Sequence, residues 1–319
     1  MKNTFWKLFG LSLIIPFCAS CNFNNDGKIK IVTTIFPEYD WVMNILGDKK
    51  DDANVALLLD SGIDLHSYQP TPKDIITISK CDLFIYVGGE SDEWVDDALK
   101  QATNKNMKAI NLMDVLGDAV KEEEVIEGME GEDEEEEEEE VEYDEHVWLS
   151  LKNAQVLVNE ISKKLGEIDQ ENANYYQTNA TGYANSLKDL DARYAQVVSG
   201  GSKDTILFAD RFPFRYLIDD YNLKYYAAFV GCSAETEASF ETITFLANKV
   251  DELGLNVIFK IESSDGAIAN TVKNATQSKN QTILTMDSIQ SASTKEYKAG
   301  RNYLSIMEAN LTALTEAVK

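Results

Sequence analysis

The sequence predicts an α/β protein of two lobes, each a mostly parallel sheet flanked by helices, joined by a long backbone helix. Three observations predict it. Short β-branched or apolar segments alternate with helical ones in an N-terminal block and again after position 203. Strand–helix alternation at these lengths suits parallel sheets with both faces covered. Between the blocks, residues 151–198 contain no proline, and glycine only at 166 and 182.

The elements follow in order. Residues 28–34 are β-branched and read as a strand. Residues 36–46 read as a helix stopped by Gly47. A second strand covers 53–59. Thr71 and Pro72 open a helix as N-cap and first-turn residue. Residues 82–87 form an apolar strand running into Gly88 and Gly89, and 109–112 a fourth short strand. In the middle stretch Ala154, Leu157, Val158, Ile161 and Leu165, then Tyr176, Tyr183, Leu187, Leu190, Tyr194 and Val197, recur near helical spacing. This predicts one long helix, or two broken near Asp169, packed by that stripe and ended at Gly200-Gly201. The C-terminal block predicts strands over 204–210, 224–229, 256–261 and 282–286, with helices over 214–221, 240–253, 267–277 and 303–318. Ligands of such sheets bind beyond the carboxyl ends of strands. Asp210 and Asp287 stand at predicted strand ends, and His66 follows one by a few residues.

At the N-terminus, Lys2 and Lys7 precede an apolar stretch too short to span a bilayer and interrupted by Pro16. It reads as an export signal. Cys18-Ala19-Ser20-Cys21 resembles a bacterial lipobox, implying cleavage before Cys21 and lipidation of it; an ordinary signal peptide is the other reading. The expected organisation is a signal peptide over 1–20, a lipidated tether over 21–27, an N-terminal lobe over 28–148, a linking helix over 149–200 and a C-terminal lobe over 201–319. Cys81 and Cys232 remain, to pair outside the cell or to stay free.

The net charge is −26, and 17 acidic residues fall among the 24 positions from Glu122 to Glu145. Such crowding predicts a disordered insert over 121–143, either inert or a weak cation trap, and argues against nucleic acid as a partner. The chain has only two histidines, His66 and His146. Both sit in polar, loop-like segments, where a neutral imidazole can ligate zinc and other transition metals; an ordinary packed or surface histidine is the alternative.

Larger motifs carry a resemblance. Gly62-Ile63-Asp64-Leu65-His66-Ser67-Tyr68-Gln69-Pro70 is similar to Gly-x-Asp-Pro-His-x-Tyr-Glu-Pro. Glu145-His146-Val147-Trp148-Leu149 is similar to Pro-His-x-Trp-Leu, and 233–239 resembles Ser-Pro-Glu-x-Glu-Pro-Ser. The chain thus resembles the solute-binding lipoproteins of bacterial ABC transporters for zinc and manganese, over nearly all of its mature length. The resemblance implies Zn2+, or Mn2+, as the transported ligand, held between two lobes by His66, His146 and Asp287. It also implies an ABC transporter membrane permease as partner, a lipid anchor in the membrane and a monomeric carrier. The family's third ligand, His or Glu, falls on Arg211, whose cationic guanidinium cannot coordinate a metal. Asp210, a water or a side chain from elsewhere would take that place, and Arg211 would pair with a carboxylate such as Asp210 or Asp287. Glu235, Glu237 and Glu262 are further oxygen donors, or else caps and surface charges. Against the carrier stand a secreted metal-dependent hydrolase, for which no His-Glu-x-x-His, Gly-x-Ser-x-Gly or phosphate-loop pattern is present, and a surface adhesin.

Overall fold

The computed structural model describes residues 27–60, 62–130, 142–233 and 237–319. The signal peptide, Cys21, most of the tether, the run Glu134 to Glu140 and Glu235 lie outside the described residues.

Two four-stranded parallel sheets form the lobes. The first is built from β1 (Ile29–Thr33), β2 (Ala53–Leu57), β3 (Leu83–Tyr86) and β4 (Lys108–Asn111), in the order β2-β1-β3-β4. The second is built from β5 (Thr205–Phe212), β6 (Lys224–Val230), β7 (Val257–Ile261) and β8 (Thr282–Met286), in the matching order β6-β5-β7-β8. Strand order therefore reverses at β1/β3 and again at β5/β7, and ligand crevices open at such switch points.

Side-chain alternation explains the continuous apolar runs. Ile31, Leu83, Ile85, Ile206, Phe208, Val257 and Phe259 face one core that extends through both lobes. Their neighbours Val32 and Phe84 face a second cluster, and Leu207, Ala209 and Ile258 a third. Both faces of each sheet are thus covered, so both must be apolar.

The helices of the first lobe are α1 (Phe36–Leu46), α2 (Pro72–Ser79), α3 (Trp94–Lys100) and α4 (Leu112–Leu116). Thr71 caps α2 as its sequence predicts, accepting from the Asp74 N–H while the Asp74 carboxylate accepts from the Thr71 N–H. The middle stretch is two helices, α5 (Leu151–Ile168) and α6 (Ala173–Gly200). They part at Asp169, whose carboxylate accepts from Asn172 and from the Tyr176 hydroxyl. Along α6, Tyr176, Ala180, Tyr183, Leu187, Leu190 and Tyr194 are buried. Their alternate steps of four and three form a single seam on one face. Tyr183 donates to Asp40 of α1 at 2.8 Å, and Tyr194 to the Met307 carbonyl at 2.6 Å. One helix therefore holds both lobes. The second lobe adds α7 (Arg215–Asp220), α8 (Phe240–Leu253), α9 (Ala267–Ala275), α10 (Thr294–Lys298) and α11 (Tyr303–Ala317). Helices α3, α4 and α10 were not foreseen from sequence; α4 and α10 span five residues each, too short for periodicity to show.

Two expectations change here. Strand β5 runs on to Phe212, with a register shift between Phe208 and Arg211, so Asp210 lies inside the strand and not at its end. The insert expected to be disordered over 121–143 is ordered at both ends. Glu122 bridges Tyr143, and the Asp144 N–H donates to the Lys121 carbonyl. Glu130 bridges Phe229 on edge strand β6 and accepts from Ser239 and Thr242. Charge density alone predicts disorder, but Met129 is buried and Val120 and Ile126 pack against the core. That apolar anchorage, with backbone pairing at an open sheet edge, orders the two ends.

Candidate metal centre

His66 sits in a 3-10 turn, Leu65–Ser67, in the connection after β2. Asp64 caps the turn, its carboxylate accepting from the His66 N–H at 3.1 Å. His146 is fully buried and leads into a second such turn, Val147–Leu149. The Trp148 indole N–H in that turn donates to the Ser288 carbonyl of the other lobe at 2.8 Å. The Tyr216 hydroxyl fixes the approach to His146. It accepts from the Lys121 N–H and donates to the Asp144 carbonyl, stitching together the two ends of the insert.

The two imidazoles meet. Their Nε2 atoms are 3.3 Å apart and their ring centroids 5.2 Å apart. Two nitrogens bound at about 2.05 Å to one tetrahedral zinc are separated by about 3.3 Å. The far nitrogens each have a hydrogen-bond partner. His146 Nδ1 is 3.0 Å from Asp144 Oδ1, and His66 Nδ1 is 2.8 Å from Ser91 Oγ and 3.5 Å from Glu145 Oε2. An imidazole that donates from Nδ1 presents a lone pair at Nε2, the arrangement of carboxylate-supported metal ligands. Glu145 accepts from the Ser91 N–H at 2.8 Å, packed so close to Gly89 that a Cβ there would meet its Oε1 at 2.4 Å.

Electrostatics favour a cation. Burial depresses the His66 pKa, and the charge on His146 depresses it further. Burial also disfavours charge on His146, but the Asp144 carboxylate and its hydrogen bond outweigh that and raise it. The Glu145 carboxyl is pushed up to about 7, chiefly by burial. A third donor, not foreseen as a ligand, is close: one atom each from His66, His146 and Cys232 lie within 4.8 Å of one another. Cys232 and Cys81 are both free, so the pairing considered from sequence does not form.

The chain matches the model of the zinc-uptake complex component A periplasmic family (ZnuA) over residues 31–317. It belongs to that family. It is 33% identical over 311 residues to the zinc-binding lipoprotein AdcA of Streptococcus pneumoniae, covering 96% of this chain and 59% of the relative. The chain thus spans less than two thirds of that relative's length. It is 32% identical over 295 residues to the high-affinity zinc uptake system protein ZnuA of Bacillus subtilis, covering 91% of this chain and 88% of that one. The Zn(II)-bound ZnuA-like domain of Streptococcus pneumoniae AdcA superposes with a TM-score of 0.71 and 30% identity, over 92% of this chain and 99% of that one.

The chain departs from the family pattern on the oxygen side. The Arg211 guanidinium pairs with Asp64 at 3.0 Å and donates to the Ser233 carbonyl at 3.2 Å, and among the described residues it pairs with neither Asp210 nor Asp287. Asp210 is occupied by backbone. Its Oδ1 accepts from the Arg211 N–H at 3.0 Å and its Oδ2 from the Ile261 N–H at 3.3 Å, bracing the irregular stretch of β5 against β7. Asp287 directly follows β8, accepts from the Ile289 N–H at 2.8 Å and forms an ion pair with Arg301. Among the described residues no hydrogen bond or ion pair joins Asp210 or Asp287 to either histidine. Glu262 is likewise engaged, accepting from the Ser288 N–H and hydroxyl at 2.8 Å.

Proposed function

We propose that the chain is the metal-capturing component of a zinc importer. It binds Zn2+ between its lobes, outside the cytoplasm, and delivers it to an ABC transporter membrane permease. One observation carries this reading: the facing Nε2 atoms of His66 and His146, with His146 held from behind by the Asp144 carboxylate and His66 by the Ser91 hydroxyl beside Glu145. Family membership and the zinc named for its relatives support the metal's identity. Borderline-soft nitrogen donors favour zinc over manganese.

His66 and His146 act as the nitrogen ligands. Asp287 acts as the oxygen ligand of the loaded state, exchanging Arg301 for the metal. Its neighbour Ser288 already touches Trp148, whose ring lies 5.2 Å from that of His146, and Arg301 keeps a second partner in Glu296. Asp210 is withdrawn from the ligand set, because both its oxygens serve the backbone. Tethering through a lipid on Cys21 holds the monomer at the membrane surface near its permease. A closed coordination sphere serves retention, whereas a hydrolase needs an open position for water.

Competition titration of the purified protein against a chelator tests the reading, with Zn2+ and Mn2+ in parallel. Tight 1:1 zinc binding that outcompetes manganese is expected. Zinc binding no stronger than that of a generic acidic protein overturns it.

A further inference from the structure

We propose that Cys232 is a sulfur ligand of this centre, replacing the donor lost where the family pattern falls on Arg211. The inference rests on the carrier reading above and names a ligand that the family pattern does not contain.

The turn after β6 is built to bring this thiol to the histidines. Cys232 lies two residues beyond β6, the strand that pairs with the Arg211 segment of β5. At Gly231 a Cβ would come within 3.0 Å of the Phe212 carbonyl and 3.1 Å of His146 Cε1, so the turn lies directly against the ring. The Arg211 guanidinium holds the Ser233 carbonyl on one side of Cys232, and the Glu123 carboxylate accepts from the Cys232 N–H at 3.3 Å on the other. Arginine at 211 therefore does more than vacate a ligand position, because it pins the turn that carries the substitute. A donor atom of Cys232 stands within 4.8 Å of donors from both imidazoles. Sulfur and nitrogen on one tetrahedral zinc are about 3.6 Å apart, given bonds of about 2.3 and 2.05 Å. Rotation about the cysteine side chain, with a small shift of the turn, covers that difference.

Coordination requires the thiolate, so the Sγ–H proton passes to solvent as the metal–sulfur bond forms. Two neutral imidazoles, one thiolate and the Asp287 carboxylate then exactly offset the charge of a divalent ion. A thiolate also shifts preference away from manganese, whose ligands are typically oxygens. Cys81 supplies an internal control. It is buried in the first lobe with its Sγ 3.4 Å from Met107 Sδ, away from the centre.

Loading with Co2+ alone tests the proposal in the intact chain. A thiolate on Co2+ gives a ligand-to-metal charge-transfer absorption in the near ultraviolet that nitrogen and oxygen ligands do not. Wild type and Cys81→Ser should both show it, and Cys232→Ser should lose it. The ratio of zinc to manganese affinity should fall by tenfold or more in Cys232→Ser. Tight Co2+ and Zn2+ binding by wild type without the charge-transfer band overturns the thiolate while leaving the carrier intact, and this arm needs no variant to fold. An unchanged affinity ratio in Cys232→Ser also overturns it. Failure of wild type to bind either metal tightly overturns both readings.

Discussion

The Nε2 atoms of His66 and His146 stand 3.3 Å apart although 80 positions separate the two residues. Two rings with lone pairs directed at the same point repel unless a proton or a cation lies between them. Burial makes a proton on His66 costly, with its pKa driven down and its side chain only 13% exposed, whereas the Asp144 carboxylate favours one on His146, so a metal must displace that proton. A divalent metal resolves the conflict, and the ligand predictions follow from it.

Replacing either histidine should weaken zinc binding by at least ~100-fold, more than the loss of a supporting residue costs. The His66→Ala variant, at a loop position that keeps some solvent exposure, should keep its thermal unfolding temperature in chelator. His146 is fully buried, so His146→Gln is the better probe there. Unchanged affinity in a chelator competition for either variant would remove that residue from the site.

Asp144 should act through His146 by fixing the ring and its tautomer. Asp144→Asn keeps an acceptor for the His146 N–H but removes the charge, and should cost about 10-fold to 100-fold in affinity. Zinc titrations of the variant and wild type at one pH check this.

Asp287 and Arg301 give an exchange test. If Asp287 leaves Arg301 for the metal, Asp287→Asn should cost about tenfold or more in zinc affinity, as loss of a charged ligand does. Arg301→Gln should bind zinc as tightly as wild type or tighter, because the competing cation is gone. Weaker binding in Arg301→Gln would show that the ion pair itself builds the loaded site.

The stability of the metal-free protein should fall as pH rises toward 8. The Glu38 carboxyl, fully buried, is pushed up from 4.5 to about 8, first by burial and then by the charge of Asp92. Between those values the folded chain keeps a proton that the unfolded chain has released. The folded state binds more protons, so this group's stabilisation is full below 4.5 and is lost progressively up to about 8. Glu38→Gln cannot ionise and retains an acceptor for the Thr34 and Ile35 N–H groups. Its melting temperature in chelator should decline less steeply over that window, and slopes parallel to wild type would contradict the assignment.

The insert should divide functionally. Deleting 132–140 should leave the tight zinc site and the melting temperature intact while removing weak, salt-sensitive cation binding. Met129→Ala should lower stability by about 2 kcal/mol, because Met129 is packed into the core. Chemical unfolding and calorimetric titration at two salt concentrations separate these effects.

Much of the fold was legible because its signals are local. Thr71, Pro72 and Asp74 specify the start of α2 within four residues, and the tyrosine and leucine spacing of α6 writes its buried seam directly into the chain. The break at Asp169 was one of two readings open in the sequence, and the contacts of its carboxylate with Asn172 and Tyr176 decide it. The ends of the insert were misread because counted charge carries no information about where Val120, Ile126 and Met129 dock.

The centre divides along the same line. Sequence by itself singled out His66 and His146, since imidazole is scarce in this chain and each copy lies in a matching motif. It also showed that Arg211 cannot be a ligand. It could not choose partners for charged groups, because that choice depends on which distant side chains arrive. Arg211 takes Asp64, 147 positions away, in preference to its neighbour Asp210. Asp210 turns inward because an irregular strand leaves backbone N–H groups to be satisfied. Cys232 comes near the histidines because a glycine turn after β6 packs on His146. Spacing along the chain fixes helices, strands and caps, where each bond spans a few residues. Donors that come from distant parts of the chain are brought together by long-range packing, and only the tertiary structure decided which of them meet.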